Sequence, residues 1–502
     1  MPERGSGAVS TERVRHPDVH LFAAHVARRL QCSHVIELGC GDGKALAKLY
    51  PEFKVVGLDE PPIVASCRAS YGFMGHWFDW DPNHPDLPAP LTDLLDPLRE
   101  ILPSSVVVCA DVIERAADPD AVLANLHELM EYAPAAIVTT ADPDVDAVRA
   151  RAESAGLRVD FSGLTLTDNL SDRKDTSLLV LANNHTPPMQ PAPDDFRVVA
   201  LLAAYNEEDV IEPSMDRLVS EGIEVYLIDN WSTDRTVELA RNFLGRGLIG
   251  IEQFPPDGPS GVYDWAPMLA RKEQLATELG AHWYIHTDVD EIRLSPWPGV
   301  TLRDALHHVD RLGFTAVDYN SVQFRPIDDG FVDRSSFEDY FHHFNLEFFS
   351  NYQLRTWKFT GRRVMTTSGG HNMFFAGRRV YPYDFLYKHY GVRSQRHGEK
   401  KIFRDRQGRL SAAERAVGWH RHIAEMDPGE KFLWDPSELL RFDEHETHRR
   451  FTVELLASIG PEQRDAWARQ PLHKRRRPPL WRRIASPVRR QVARIVPPVR
   501  RY

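Results

Sequence analysis

The sequence predicts an α/β protein of two doubly wound units in tandem, followed by a helical C-terminal region and a basic tail. Three observations point there. Two separate stretches alternate short apolar β-runs with helical patterns, which implies parallel sheets covered on both faces. Each stretch places glycine-rich or polar turns just after its strands, where open α/β sheets bind their ligands. Between the stretches, NNHTPPMQPAPDD (183–195) has little to bury and reads as a linker.

The elements follow in order. In the first unit, strands are expected at 34–38, 54–58, 105–109, 135–139, 157–161 and 177–181, with helices from about Lys44 and near 121–131. The linker is placed at 184–195. In the second unit, strands are expected at 197–202, 224–228, 248–252 and 283–286, with helices near 208–221, 233–243 and 268–279. Residues 314–390 are aromatic-rich and irregular, and read as mixed strands and loops. The segment from 411 to 467 reads as mainly helical. The expected boundaries are 1–183 and 196–430 for the two units, 431–469 for a helical extension, and 470–502 for the tail.

At 502 residues the chain is too long for one ordinary domain. Its formal net charge of −11 argues against a general nucleic-acid binder. The average hides an asymmetry: from Lys474 onward there are eleven Lys/Arg and no acids, leaving 50 basic and 72 acidic residues elsewhere, a balance of −22. The tail, with Leu480 and Trp481 among arginines, suits either free solution or peripheral contact with an anionic membrane surface. Cys32, Cys40, Cys67 and Cys109 sit at no metal-like spacing, as free thiols in a reducing cytoplasm would. The polar N-terminus has no signal-peptide core, and no apolar run approaches the ~20 residues of a membrane helix.

The first constellation is Val35-Ile36-Glu37-Leu38-Gly39-Cys40-Gly41-Asp42-Gly43, an apolar run entering a glycine turn, with Asp59 closing the next strand. Glycines permit φ > 0 and close ligand approach, and an acid roughly twenty residues on can accept from ribose hydroxyls. The pattern resembles the Rossmann-like S-adenosylmethionine-dependent methyltransferases, and Asp111-Val112-Ile113-Glu114-Arg115 resembles their fourth-strand motif. Arg115 stands where many relatives carry His. The resemblance implies that Glu37, Gly39, Gly41 and Asp59 hold S-adenosylmethionine. The competing reading is a unit that keeps the fold without the activity.

The second constellation centres on Trp283-Tyr284-Ile285-His286-Thr287-Asp288-Val289-Asp290-Glu291. On an extended segment Asp288 and Asp290 point the same way, and two carboxylates suit magnesium or manganese beside a departing diphosphate. The same spacing recurs at Asp79/Asp81, Asp118/Asp120 and Asp142/Asp144; here it closes a strand. Upstream lie Tyr205-Asn206-Glu207-Glu208 and Asp229-Asn230-Trp231-Ser232-Thr233-Asp234-Arg235-Thr236. Ser232 or Thr233 can cap the following helix, leaving Asp229 to face a base or ribose.

The three motifs in this order resemble family-2 glycosyltransferases of GT-A fold. The resemblance implies nucleotide contacts from Tyr205, Glu207 and Asp229, and metal and diphosphate handling by Asp288 and Asp290, supported by Glu291. His389, in a string similar to a late motif of some relatives, would complete the metal site, and Arg393 and Lys400 would hold the diphosphate. The base that deprotonates an acceptor is left open among Asp328, Asp329, Asp384 and His371.

The expected function is metal-dependent transfer of a sugar from a nucleotide-diphosphate donor to a glycan or lipid-linked acceptor. The rivals are a methyltransferase with a glycan-binding second unit, and a non-enzymatic glycan-binding scaffold.

Overall fold

The structure, a computed structural model, describes residues 17–81, 98–166, 175–262, 265–347, 353–361, 365–367, 370–411 and 421–474. The basic tail beyond Lys474 lies outside the described residues.

The first sheet has seven strands: β1 (His34–Leu38), β2 (Lys54–Asp59), β3 (Gly75–Asp79), β4 (Ser105–Ala110), β5 (Ala135–Thr140), β6 (Arg158–Leu166) and β7 (Asp175–Ala182). Their spatial order is β3-β2-β1-β4-β5-β7-β6. The first five run parallel, and β7 lies antiparallel between β5 and β6. The order reverses between β1 and β4, so a crevice opens where the glycine turn meets Asp111.

The second unit carries two larger sheets. One contains β8 (Val198–Ala204), β9 (Glu224–Asp229), β10 (Leu248–Gln253), β11 (Trp283–Asp288), β13 (Ala316–Val317) and β16 (Thr356–Lys358), in the order β10-β9-β8-β11-β16-β13. The other contains β12 (Glu291–Leu294), β14 (Tyr319–Phe324), β15 (His343–Glu347), β19 (Phe385–His389) and β20 (Leu440–Arg441), in the order β12-β19-β14-β15-β20. β17 (Met365–Thr367) and β18 (Asn372–Phe374) form a short hairpin pair. The aromatic-rich stretch, expected to mix strands and loops, supplies three of the five strands of the β12-β19-β14-β15-β20 sheet. Its rings, among them Phe324, Phe344, Phe385 and Tyr387, form buried core.

The two units share one hydrophobic core. Val19, Phe22 and Val26 on the Pro17–Leu30 helix join the same cluster as Val198, Phe385, Val453 and Trp467. Phe161 of β6 stacks on Trp297 at 5.3 Å and meets Tyr383 edge-on at 4.9 Å. The C-terminal helices Thr452–Ala457 and Pro461–Arg469 return to the first unit. There Arg464 bonds Asp18 at 2.7 Å, and Lys48 donates to the Trp467 carbonyl at 2.9 Å.

Residues 184–195 have no regular element, yet they are pinned. Arg158 donates to the carbonyls of Thr186 and Pro187, Arg303 to those of Ala192 and Pro193, and Arg311 to that of Pro188. All four cysteines are buried free thiols. Among the described residues no helix is long and apolar enough to cross a membrane.

Candidate functional site

In the first unit, Gly39, Gly41 and Gly43 all have positive φ. At Gly39 a Cβ would lie 2.5 Å from the Val112 side chain, so the turn also needs a bare backbone for packing. Asp59 accepts from the Gly41 N–H at 2.6 Å and the Glu60 N–H at 2.9 Å, locking the turn to the end of β2. Glu37 is buried. Its Oε1 lies 3.1 Å from His20 Nε2, and its Oε2 has no hydrogen-bond partner. A buried carboxylate oxygen left unpaired is costly and fits a ligand that brings a hydrogen-bond donor, as an amino acid's ammonium does. These residues therefore fit S-adenosylmethionine. His20 was missed in the sequence because the polar N-terminus hides the helix that carries it.

In the second unit, the turns after β8, β9 and β11, three neighbouring strands, converge on one cleft. Tyr205, Asn206, Glu207, Asn230, Asp288, Asp290, His397, Lys400, Lys401, Asp405 and Arg406 line it. The first two turns are sewn together. Asn206 N–H donates to Ser232 Oγ at 3.0 Å, Thr233 N–H to Asn206 Oδ1 at 2.8 Å, and Glu207 N–H to Thr236 Oγ1 at 2.8 Å. Ser232 and Thr233 thus hold a neighbouring loop rather than cap a helix; the next helix, Thr236–Ala240, starts after Arg235 with no side-chain cap.

Several expected contacts are corrected by this geometry. Asp229 does not face a nucleotide. It is wholly buried, with both carboxylate oxygens on the Ser232 N–H at 3.1 and 3.3 Å, and burial raises its pKa. Its neighbour Asn230 lines the cleft instead. Arg393 is not available to a diphosphate: only 1% exposed, it bonds Glu207 at 2.8 Å and Asp209 at 2.8 and 3.0 Å. Lys400 does reach the cleft.

Asp288 and Asp290 both line the cleft, in different surroundings. Asp288 is about one-third exposed (34%) and lies 3.6 Å from Arg355. Burial and then Glu291 raise its pKa. Asp290 is buried. Although burial opposes its charge, Lys401, at 2.5 Å, and His389 hold its carboxyl well below the ordinary range. Glu291 ties the turn between them, accepting from the Asp288 N–H at 3.2 Å while Arg293 and Arg355 bond it at 2.6 and 2.7 Å. Burial works against its ionisation, but the two arginines bring its pKa down to about 2.

Whether these side chains suit a divalent cation turns on His389. It pairs in register with Glu291 on one side and Gln323 on the other. The Gln323 amide nitrogen donates to Ser321, so its carbonyl oxygen faces His389 Nδ1 at 2.7 Å. That bond fixes a proton on Nδ1 and turns Nε2 toward Asp290 Oδ1, 3.8 Å away. A ring nitrogen and a carboxylate oxygen so placed can share a cation. Asp290 and His389, with Asp288 nearby, therefore fit magnesium or manganese. Among the described residues no three His, Cys, Asp or Glu side chains are grouped so as to hold a metal ion by themselves. The fit is to an ion that takes its other ligands from phosphates and water.

None of the expected bases lines the cleft. Asp384 is buried at the seam between the units, bonded by Ser458 at 2.7 Å and 3.9 Å from Arg29. Asp329 is exposed and accepts from the Gln395 N–H at 2.7 Å. Asp328 accepts from Tyr340, which lowers its pKa. His371 has its Nδ1 2.7 Å from Arg355 and 3.0 Å from Gln353, behind Asp288. Each is displaced for the same reason: it already serves a local hydrogen bond or ion pair.

Sequence reasoning missed Lys401, Asp405 and Arg406 in the cleft and Lys272 beneath it. Lys272 is buried, 2.7 Å from His286 Nδ1, and burial brings its pKa down to about 7. Its signal was available: it sits on a helical face otherwise made of Trp265, Met268, Leu269, Leu275 and Ala276.

Comparison with known proteins agrees with this division. Residues 14–181 match the family described as "Methyltransferase domain", and residues 200–273 match "Glycosyl transferase family 2". No curated protein matches the chain. Among solved structures, a complex of the Haloferax volcanii Trm112 methyltransferase activator with a putative methyltransferase aligns at 18% identity. It covers 34% of this chain and 92% of that one, with a TM-score of 0.26. A 1–349 fragment of S. aureus TarS, solved with UDP, aligns at 17% identity over 28% of this chain and 38% of that one, with a TM-score of 0.20.

Proposed function

The chain carries a methyltransferase domain followed by a family-2 glycosyltransferase domain, and we propose that the second moves a sugar from a nucleotide-diphosphate donor to a glycan or lipid-linked acceptor hydroxyl, with inversion and with a divalent cation. The observation that carries this reading is the His389–Asp290 pair, whose facing ring nitrogen and carboxylate oxygen suit a shared cation beside a cleft lined by Lys400, Lys401 and Arg406. The ion would be held by Asp290 and His389 with Asp288 nearby, taking its other ligands from phosphate and water, and when bound it supplies positive charge against the leaving diphosphate. Lys400 and Arg406 add fixed charge for the same group. Tyr205 offers a ring for the base, and Asn230 a polar edge beside it. Asp405 lines the cleft with no hydrogen bond or ion pair among the described residues. Burial raises its pKa, which suits it to take the acceptor proton.

The test is hydrolysis of a panel of nucleotide sugars with and without manganese. Asp290→Asn should abolish the manganese-dependent turnover; turnover equal to wild type would exclude the reading.

For the first unit, the reading is S-adenosylmethionine binding by Glu37, Gly39, Gly41 and Asp59, supported by the partnerless Glu37 oxygen. Calorimetry should register heat with wild type and a loss of affinity in Asp59→Ala. No heat from wild type would remove the site.

A further inference from the structure

The donor cleft is nearly full. Its cavity volume is about 50 Å³, whereas pockets for drug-sized ligands run to roughly 300–1,000 Å³. The chain after His389 fills it. The helix Gln395–Glu399 continues into a π-helix, Lys400–Arg406, and a 3-10 turn, Gln407–Arg409. π-helical turns are rare and gather at functional sites.

Two side chains of this segment sit where a donor and its cation would. The Arg409 guanidinium lies 3.8 Å from the centre of the Tyr205 ring, and its Nη2 donates to Asn230 Oδ1 at 2.8 Å. A planar group stacked on an aromatic face, with one edge bonded to an amide, makes the contacts that a nucleobase would make there. The Lys401 ammonium, 2.5 Å from Asp290 and 3.5 Å from Glu207, supplies a positive charge to a carboxylate suited to a metal ion.

We propose that residues 395–409 form an internal plug of the donor cleft, Arg409 standing in for the base and Lys401 for the cation, and that a donor arriving with its cation displaces both. The proposal rests on reading the second unit as a nucleotide-sugar transferase. The exchange is balanced in charge. A cation on Asp290 releases Lys401, and the diphosphate that comes with the cation offers Lys400, Lys401 and Arg406 new partners. The residues that close the empty cleft are thus the ones that can grip the filled one. The opening cost lowers the apparent affinity by the fraction of molecules in which the cleft is open.

Calorimetric titration with UDP, GDP, ADP and CDP, each with manganese, compares wild type with Arg409→Ala. The plug predicts binding about tenfold tighter in the variant, and faster amide hydrogen exchange across 395–409 without nucleotide. Weaker binding in the variant would overturn it, because Arg409 would then be a contact and not an obstacle; the transferase reading would survive. If neither protein binds any nucleotide, the transferase reading falls and the plug with it. Paramagnetic resonance titration with manganese alone tests Lys401. Lys401→Met should bind the ion more tightly than wild type, and unchanged or weaker binding overturns that half of the proposal.

Discussion

His389 owes its character to Gln323. With the Gln323 carbonyl on Nδ1, the imidazole presents Nε2 to Asp290; without it, the ring is free to reorient. Removing such a supporting hydrogen bond typically costs about 10–100-fold in metal affinity, so Gln323→Leu should weaken manganese binding to that extent in a direct titration, with the fold unchanged by circular dichroism. The other acids of the cleft are separated by what they already hold. Glu207 has Arg393, Asp290 has Lys401, and Glu291 has two arginines. Asp405 is uncommitted among the described residues. If it takes the acceptor proton, Asp405→Asn should lower kcat by about 10²–10⁴-fold while leaving the donor KM nearly unchanged; steady-state kinetics with donor varied would show it. A kcat near wild type would move the base elsewhere.

At the scale of the element, the Arg393 ion pairs join the turn after β8 to the turn before the Gln395–Glu399 helix. Arg393→Ala would leave the buried Glu207 and the partly buried Asp209 without this partner. The expected loss is about 3–5 kcal/mol of stability, measurable by urea unfolding. Elements were legible where a repeating apolar pattern announced them. β1, β2, β4, β5 and the four strands β8 to β11 are short buried runs flanked by turn residues, and a run of that kind reads as a strand on its own. β3 was not, because Gly75-His76-Trp77-Phe78-Asp79 alternates too weakly. The β12-β19-β14-β15-β20 sheet was hidden because its strands are far apart in sequence and nothing local specifies their pairing. The same distinction holds for the site. Asp288, Asp290 and Lys400 could be located from motifs at strand ends or nearby. Asp229 and Arg393 carried the right chemistry, but burial and partners from distant segments decided what they do, and Lys401 and Asp405 lie on a helix whose irregular winding no pattern marks.

At the scale of the whole molecule, the seam between the units is both apolar and charged. Arg29 on the Pro17–Leu30 helix reaches Asp318 at 2.5 Å, and Asp384 lies beside them. Burial, and then Asp318, push the Asp384 pKa up to about 8. A carboxyl whose folded pKa exceeds its unfolded value contributes stability that declines as pH rises from about 4 to about 8. Asp384→Asn should flatten that decline, which melting temperatures at pH 5 and pH 8 would reveal; parallel slopes for the two proteins would contradict the assignment. Because the core is continuous across the seam, a fragment of residues 1–183 should expose the apolar face of the Pro17–Leu30 helix and β6. We expect it to be insoluble or to bind a hydrophobic dye, whereas the full chain should melt in one transition by scanning calorimetry.

The return of the last two helices to the first unit has a consequence for biosynthesis. When β7 leaves the ribosome, Asp18 and Lys48 have yet to meet Arg464 and Trp467, and nearly three hundred codons remain. At about 5–20 residues per second, the nascent first unit waits roughly fifteen seconds to a minute with its flank uncovered. A polypeptide made earliest thus matures among the last, and its survival in that interval falls to whatever shields emerging chains.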